Sequence, residues 1–159
     1  SHLSENKGEI AWVKELCPWS AFYGDAYEQF GMFGGTYPAV MAHCVHPTEE
    51  EIGLMKKNGV FAAHCPHSNT DLSSGVAPIR RYLEEGIHVG LGSDIAGGHV
   101  LSLFQVMVGA VQASSSAGVW KMKRKSRSQW MKCFIWEPRA GELSSDRWEA
   151  LKKDMNLTR

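Results

Sequence analysis

Four polar groups in this sequence each accompany an apolar run: His2 with Glu5 in "SHLSEN", His43 in "MAHC", His64 in "AHCPHSN" and Asp94 in "GLGSD". Imidazole and carboxylate are the donors that a borderline divalent cation such as zinc accepts, and a catalytic site keeps one position open. Such a cation lowers the pKa of a bound water to about 7, which makes a nucleophile at neutral pH. A carboxylate beside that water can take its proton, and a second acid can protonate the leaving atom. Each residue also has a plainer reading. A histidine at a strand end is usually a hydrogen-bonded structural group, Asp94 could cap a following helix, and Glu5 could be a solvated first-turn side chain. Gly97 and Gly98 could simply make a tight loop, and His46, His67, His88 and His99 default to surface or supporting positions. The case for chemistry is that four such groups recur at corresponding places in consecutive segments.

The segments that would position them are strands and helices in alternation. "AVMAHC" (Ala39 to Cys44), "GVFAAHCP" (Gly59 to Pro66) and "IHVGLGSD" (Ile87 to Asp94) read as buried strands, near-continuously apolar as in a parallel sheet covered on both faces. "HPTEEEIGLMKKNG" reads as a helix with Thr48 and Glu51 as a capping box and Gly59 as its stop. Ile52 and Met55 share its buried face, and Lys56 and Lys57 suit its carboxyl end. Pro78 falls in the first turn of a second helix that Gly86 ends; further helices are expected from Gly8 to Leu16 and from Leu101 to about Ala113. Strand and helix alternating through short links is the mark of a parallel α/β architecture. Polar residues at successive strand ends then share one rim, which in a (β/α)8 barrel carries the active site. Glycines flanking Asp94 would let backbone and substrate approach it closely.

A full barrel of this kind takes about 250 residues, and the chain has 159 and no initiator methionine. A partial barrel from a longer protein is the expectation. Net charge is formally zero, with 17 Lys and Arg against 17 Asp and Glu, so no overall field favours nucleic acid or an acidic membrane. No apolar run approaches the roughly 20 residues of a membrane span, and the first residues do not read as a signal peptide. Cys17, Cys44, Cys65 and Cys133 are scattered without a CxxC pair, which suits a reducing cytoplasm better than a disulfide framework.

In order and spacing, "SHLSEN", "MAHC", "AHCPHSNTDLSSG" and "GLGSDIAGG" resemble the amidohydrolase superfamily, metal hydrolases on a distorted (β/α)8 barrel. Cys65-Pro66 and Ala96-Gly97-Gly98 are most similar to its guanine-deaminating branch, over Ser1 to roughly Trp120. The resemblance implies strands five to eight of that barrel, with His2, His43 and Asp94 ending the fifth, sixth and eighth. It implies that His2 and Asp94 bind zinc, and that Glu5 shuttles a proton to the purine ring nitrogen. His43 would position water and substrate, and Asp94 would accept the proton from water. His2, Glu5, His43 and Asp94 together would contact the purine, while His64, Ser68 and Asn69 support them. The implied reaction is hydrolysis of guanine to xanthine and ammonia in a protein that is commonly a homodimer. The family's first-strand His-x-His pair and purine-gripping arginine are absent here, so the chain alone is expected to bind zinc weakly and turn over nothing. Another amino-heterocycle as substrate is the alternative within the superfamily. The zinc signature of the cytidine-deaminase fold, with its PCxxC, is missing.

After Trp120 the composition changes to "KMKRKSRSQWMKCFIWEPRAGELSSDRWEALKKDMNLTR". A basic run beside tryptophans invites a nucleic-acid-binding module, and a solvated helix face is the ordinary reading. A third reading is favoured. Codons for "WMKCFIWEP", read one base earlier, permit a string such as "DEVFYLGTKGGG", which resembles the family's helix and glycine turn after the eighth strand. On that expectation residues 1–120 are the barrel piece, residues 121–159 are an out-of-frame tail, and Cys133 has no evolved role.

Overall fold

The computed structural model describes residues 1–118. Residues 121–159, expected to be an out-of-frame tail, lie outside the described residues together with their basic run and Cys133. The elements are β1 (His2–Leu3), α1 (Lys7–Leu16), α2 (Tyr23–Glu28), β2 (Val40–His43), α3 (Glu49–Asn58), β3 (Phe61–His64), α4 (Pro66–Asp71), α5 (Ile79–Glu84), β4 (Val89–Leu91) and α6 (Leu103–Gly118). The four strands form one parallel sheet in sequence order. Consecutive strands that pair in parallel through helical crossovers are the βαβ units the alternation called for. Among the described residues no helix is long and apolar enough to cross a membrane.

The helix ends follow local chemistry. In α1, Asn6 accepts the Glu9 N–H at 2.8 Å as N-cap, and in α3 the Thr48 hydroxyl accepts the Glu51 N–H at 3.1 Å; caps of this kind contribute about 1 kcal/mol each. Gly59 ends α3 at φ 65, a left-handed conformation that glycine adopts without a Cβ penalty. Only half of the expected capping box forms. The Glu51 carboxylate does not turn back to Thr48 but reaches inward to Ser4 and Gly24. Pro78 precedes α5 as its N-cap instead of lying in its first turn. Two short helices, α2 and α4, were not expected, and α6 runs on past Ala113.

The core lies between the sheet and α3 and α5. Met41 and Ala62 from the strands meet Ile52 and Met55 of α3 and Ile79 and Tyr82 of α5, with Leu3, Phe33, Val45, Val60 and Ile87 closing the cluster. The strands are shorter than their apolar runs and are not buried on both faces. Val40 is 55% and Phe61 38% exposed while their neighbours Met41 and Ala62 are buried. The cause is the two-residue side-chain period of a strand: helices cover the Met41 and Ala62 face, and Val40 and Phe61 point away from it.

Candidate functional site

His43 is the hub. It is the last residue of β2, is 1% exposed and has a left-handed backbone, φ 69. Its Nδ1 donates to the Asn69 Oδ1 of α4 at 2.9 Å, because a carbonyl oxygen can only accept. That tautomer leaves Nε2 with a lone pair, buried and without a hydrogen-bond partner among the described residues. Around the ring stand the other groups singled out in the sequence. Glu5 Oε1 is 3.9 Å from Nδ1, Asp94 Oδ2 is 3.9 Å from Nε2, and the His2 ring stacks on the His43 ring with centroids 5.0 Å apart. The structure therefore brings His2, Glu5, His43 and Asp94 together, from chain positions as far apart as 2 and 94.

The backbone that presents them is unusual in one respect. Ser4, His43, Cys44 and Asp94 all have φ between 47 and 69, a region that costs a non-glycine residue of order 1 kcal/mol or more. Asp94 does not end its strand. β4 stops at Leu91, where its pairing with His64 ends, and Asp94 follows three residues later in a turn closed by Gly98 N–H to Asp94 C=O at 2.7 Å. The glycines beside it admit a close approach of protein atoms. A Cβ on Gly97 would lie 2.7 Å from Asp94 Oδ2 and 2.9 Å from Ser68 Oγ, and one on Gly98 would lie 2.5 Å from the Ser93 carbonyl. The Ser68 hydroxyl donates to Asp94 Oδ2 at 2.5 Å, a charge-assisted contact.

A scan against protein-family models matches the amidohydrolase family over residues 1–125. The chain belongs to the amidohydrolase family. It is similar to the guanine deaminase of Dictyostelium discoideum, 46% identical over 116 residues that make up 73% of this chain and 25% of that protein. It also matches the crystal structure of guanine deaminase from C. acetobutylicum with guanine bound in the active site. There the TM-score is 0.73 and the identity 52%, over 76% of this chain and 28% of the other. A more distant match is atrazine chlorohydrolase TrzN from Arthrobacter aurescens complexed with zinc, with TM-score 0.60 and 26% identity over 76% of this chain and 26% of that one. The chain spans about a quarter of the length of the curated relatives it matches.

Within this amidohydrolase chain the donor chemistry fits a zinc ion, and the orphaned Nε2 of His43 beside Asp94 marks a polar position that the described residues do not fill. His2 and Asp94 would supply an imidazole nitrogen and a carboxylate oxygen. No group of three or more His, Cys, Asp or Glu side chains that could hold a metal occurs among the described residues, so two ligands are the most that the proposed set offers. His64, the last residue of β3, is buried, and its Nδ1 lacks a partner among the described residues. Burial, with His43 nearby, lowers its pKa to about 4, which keeps the ring neutral. Cys65 beyond it is also buried, and burial first, then Asp94, raises that thiol to about 11.

Two groups that touch this cluster escaped the sequence reading. Ser74 donates to Glu5 Oε1 at 2.8 Å; it sits inside the motif "SNTDLSSG", whose serines gave no hint of which one reaches Glu5. Tyr82 of α5 donates to the Cys44 carbonyl at 2.6 Å and so fixes the turn just after His43. His46, His67, His88 and His99 play supporting or surface parts. His46 Nε2 meets the Ser74 carbonyl at 2.7 Å, while His67 meets the Gln105 carbonyl and His99 pairs with Asp71.

Proposed function

We propose that the protein carrying this chain is a zinc-dependent guanine deaminase, converting guanine and water to xanthine and ammonia, and that these residues form part of its barrel rim. The observation that carries the reading is the hub: an imidazole anchored at Nδ1, without a hydrogen-bond partner at Nε2 among the described residues, and flanked at 3.9 Å by two carboxylates on opposite nitrogens. What the relatives are named for, and the guanine and zinc of the matched structures, support the choice of substrate and metal.

Zinc held by His2, Asp94 and ligands beyond this set would supply Lewis acidity that brings the pKa of water near 7. The chain's own residues do the rest. His43 orients the attacking water through its Nε2 lone pair. Asp94, a third exposed and oriented by the Ser68 hydroxyl, acts as the base that takes the water proton. Glu5, 12% exposed and held by Ser74, delivers a proton to the purine ring nitrogen. Water adds to the amino-bearing carbon; as the tetrahedral adduct collapses, Asp94 passes its proton to the amino nitrogen, Glu5 takes back the hydroxyl proton, the C–N bond breaks and ammonia leaves. Two carboxylates set on opposite sides of one imidazole can thus divide the work of base and acid.

The test is ammonia release by the complete protein from guanine, adenine and cytosine derivatives. Guanine should be preferred by orders of magnitude in kcat/KM. Faster turnover of another amino-heterocycle would transfer the activity to a different aminohydrolase of the superfamily. The 159-residue chain with zinc alone should release no ammonia from guanine.

A further inference from the structure

We infer that Glu51 is a positioning residue for Glu5, acting through Ser4, and that it belongs to a two-carboxylate brace tying the segment between His2 and Glu5 to the start of α2. Glu51 is fully buried, although it stands in an acidic run where its neighbours Glu49 and Glu50 are exposed. Its Oε2 accepts the Ser4 hydroxyl at 2.8 Å and its Oε1 accepts the Gly24 N–H at 2.7 Å. Burial raises the pKa of this carboxyl, and the hydrogen bonds from Ser4 and Gly24 oppose that shift. Ser4 is left-handed at φ 47, and its carbonyl accepts the N–H groups of Val45 and His46 at 3.1 and 2.9 Å. The residue before Glu5 is therefore fixed at its side chain by α3 and at its carbonyl by the segment following His43.

The adjacent residue is held in the same manner. Glu9 Oε2 accepts the Glu5 N–H at 2.9 Å, and Glu9 Oε1 accepts the Tyr23 hydroxyl at 3.0 Å. Consecutive residues Ser4 and Glu5 are thus each bridged by one carboxylate to consecutive residues Gly24 and Tyr23. The fit is close. A Cβ on Gly24 would meet Phe33 at 2.7 Å and Glu51 Oε1 at 3.2 Å. A buried carboxylate is costly unless it is fully hydrogen-bonded, and a plain helix face would leave position 51 exposed or apolar. What Glu51 obtains for its burial is one fixed backbone geometry at the residue that aims Glu5.

The brace bears on turnover only if Glu5 is the proton shuttle proposed above, so the experiment reads both structure and rate in the complete protein. In Glu51→Gln only one side-chain atom still accepts: with the oxygen on Gly24, the amide faces Ser4 as a donor, so the Ser4 hydroxyl must reverse its hydrogen bond and both charge-assisted contacts are lost. The variant should lower kcat for guanine by about tenfold to a hundredfold, the scale of a small misplacement of a catalytic group, with KM moving less. Amide hydrogen exchange should speed up at Val45 and His46 and not at Ala62. Glu51→Asp should recover part of the rate, and Ser4→Ala should reproduce the loss without adding to it in the double variant. A folded Glu51→Gln protein with kcat within twofold of the parent, or additive losses in the pair, would overturn the brace. If Glu51→Gln does not fold, Ser4→Ala alone decides, and an unchanged kcat there overturns it. A parent protein inactive on guanine overturns the deaminase reading alone, and the exchange rates at Val45 and His46 then judge the brace.

Discussion

The two ends of the site are built differently. At the end of β2, His43 is buried, its Nδ1 is anchored by Asn69, and the following carbonyl is tied to Tyr82. At the end of β4, Asp94 is a third exposed, lies three residues past the strand, and is held by one serine hydroxyl and a glycine turn. One wall is set by the core; the other is set by the absence of side chains. The lesson concerns the source of precision: His43 is placed by packing that also stabilises the fold, whereas Asp94 is placed by local turn geometry that contributes little to stability. Activity and stability should therefore part company at the Asp94 wall and travel together at the His43 wall.

Asp94→Asn gives the largest expected effect. It removes a base while keeping the shape, and kcat/KM for guanine in the complete protein should fall by about a thousandfold or more, within the range for losing a proton-transfer group. With zinc removed from both proteins, so that the change in metal affinity does not enter, the urea midpoint should move little, because the side chain is partly solvated. A large fall in the midpoint would mean that the Asp94 wall also supports the core. Next comes acid sensitivity on the buried side. His64 has a folded pKa of about 4 against an ordinary 6.5, so the unfolded chain takes up the proton first. Stability is fully present above about pH 6.5 and is lost as pH falls through that value towards 4. The loss is on the order of 3 kcal/mol, at 1.36 kcal/mol per unit. Urea titrations between pH 7 and 4 should show this slope, and His64→Gln should flatten it; an unchanged slope would assign the acid loss to other groups. Gly97→Ala is the smallest of the three. Its new methyl would press on Asp94 Oδ2 and Ser68 Oγ, and about a tenfold loss of kcat with a nearly unchanged midpoint is expected. A loss confined to the midpoint would contradict the division between the two walls.

Much of this arrangement was legible in the residues. The apolar runs ending in "MAHC" and "AHCP" announced parallel strands, and the residues on which the family resemblance rests do gather around one imidazole. The strand lengths were not legible, because pairing decides where a strand stops: β4 ends at Leu91 opposite His64, three residues before the Asp94 that was expected to end it. The short α2 was missed because one and a half turns containing a glycine and two tyrosines carry no readable period. Glu51 was read as half of a capping box because local spacing allowed it. Its actual partners, Ser4 and Gly24, are 47 and 27 residues away, and no local pattern encodes such a choice.

Ser4, His43, Cys44 and Asp94 hold the backbone in a conformation that glycine would occupy at ease. Anyone hardening this protein by relaxing its unfavourable torsions would be drawn to these positions, three of which belong to the site or to its support. Relief there would trade a well-aimed rim for a sturdier and slower molecule.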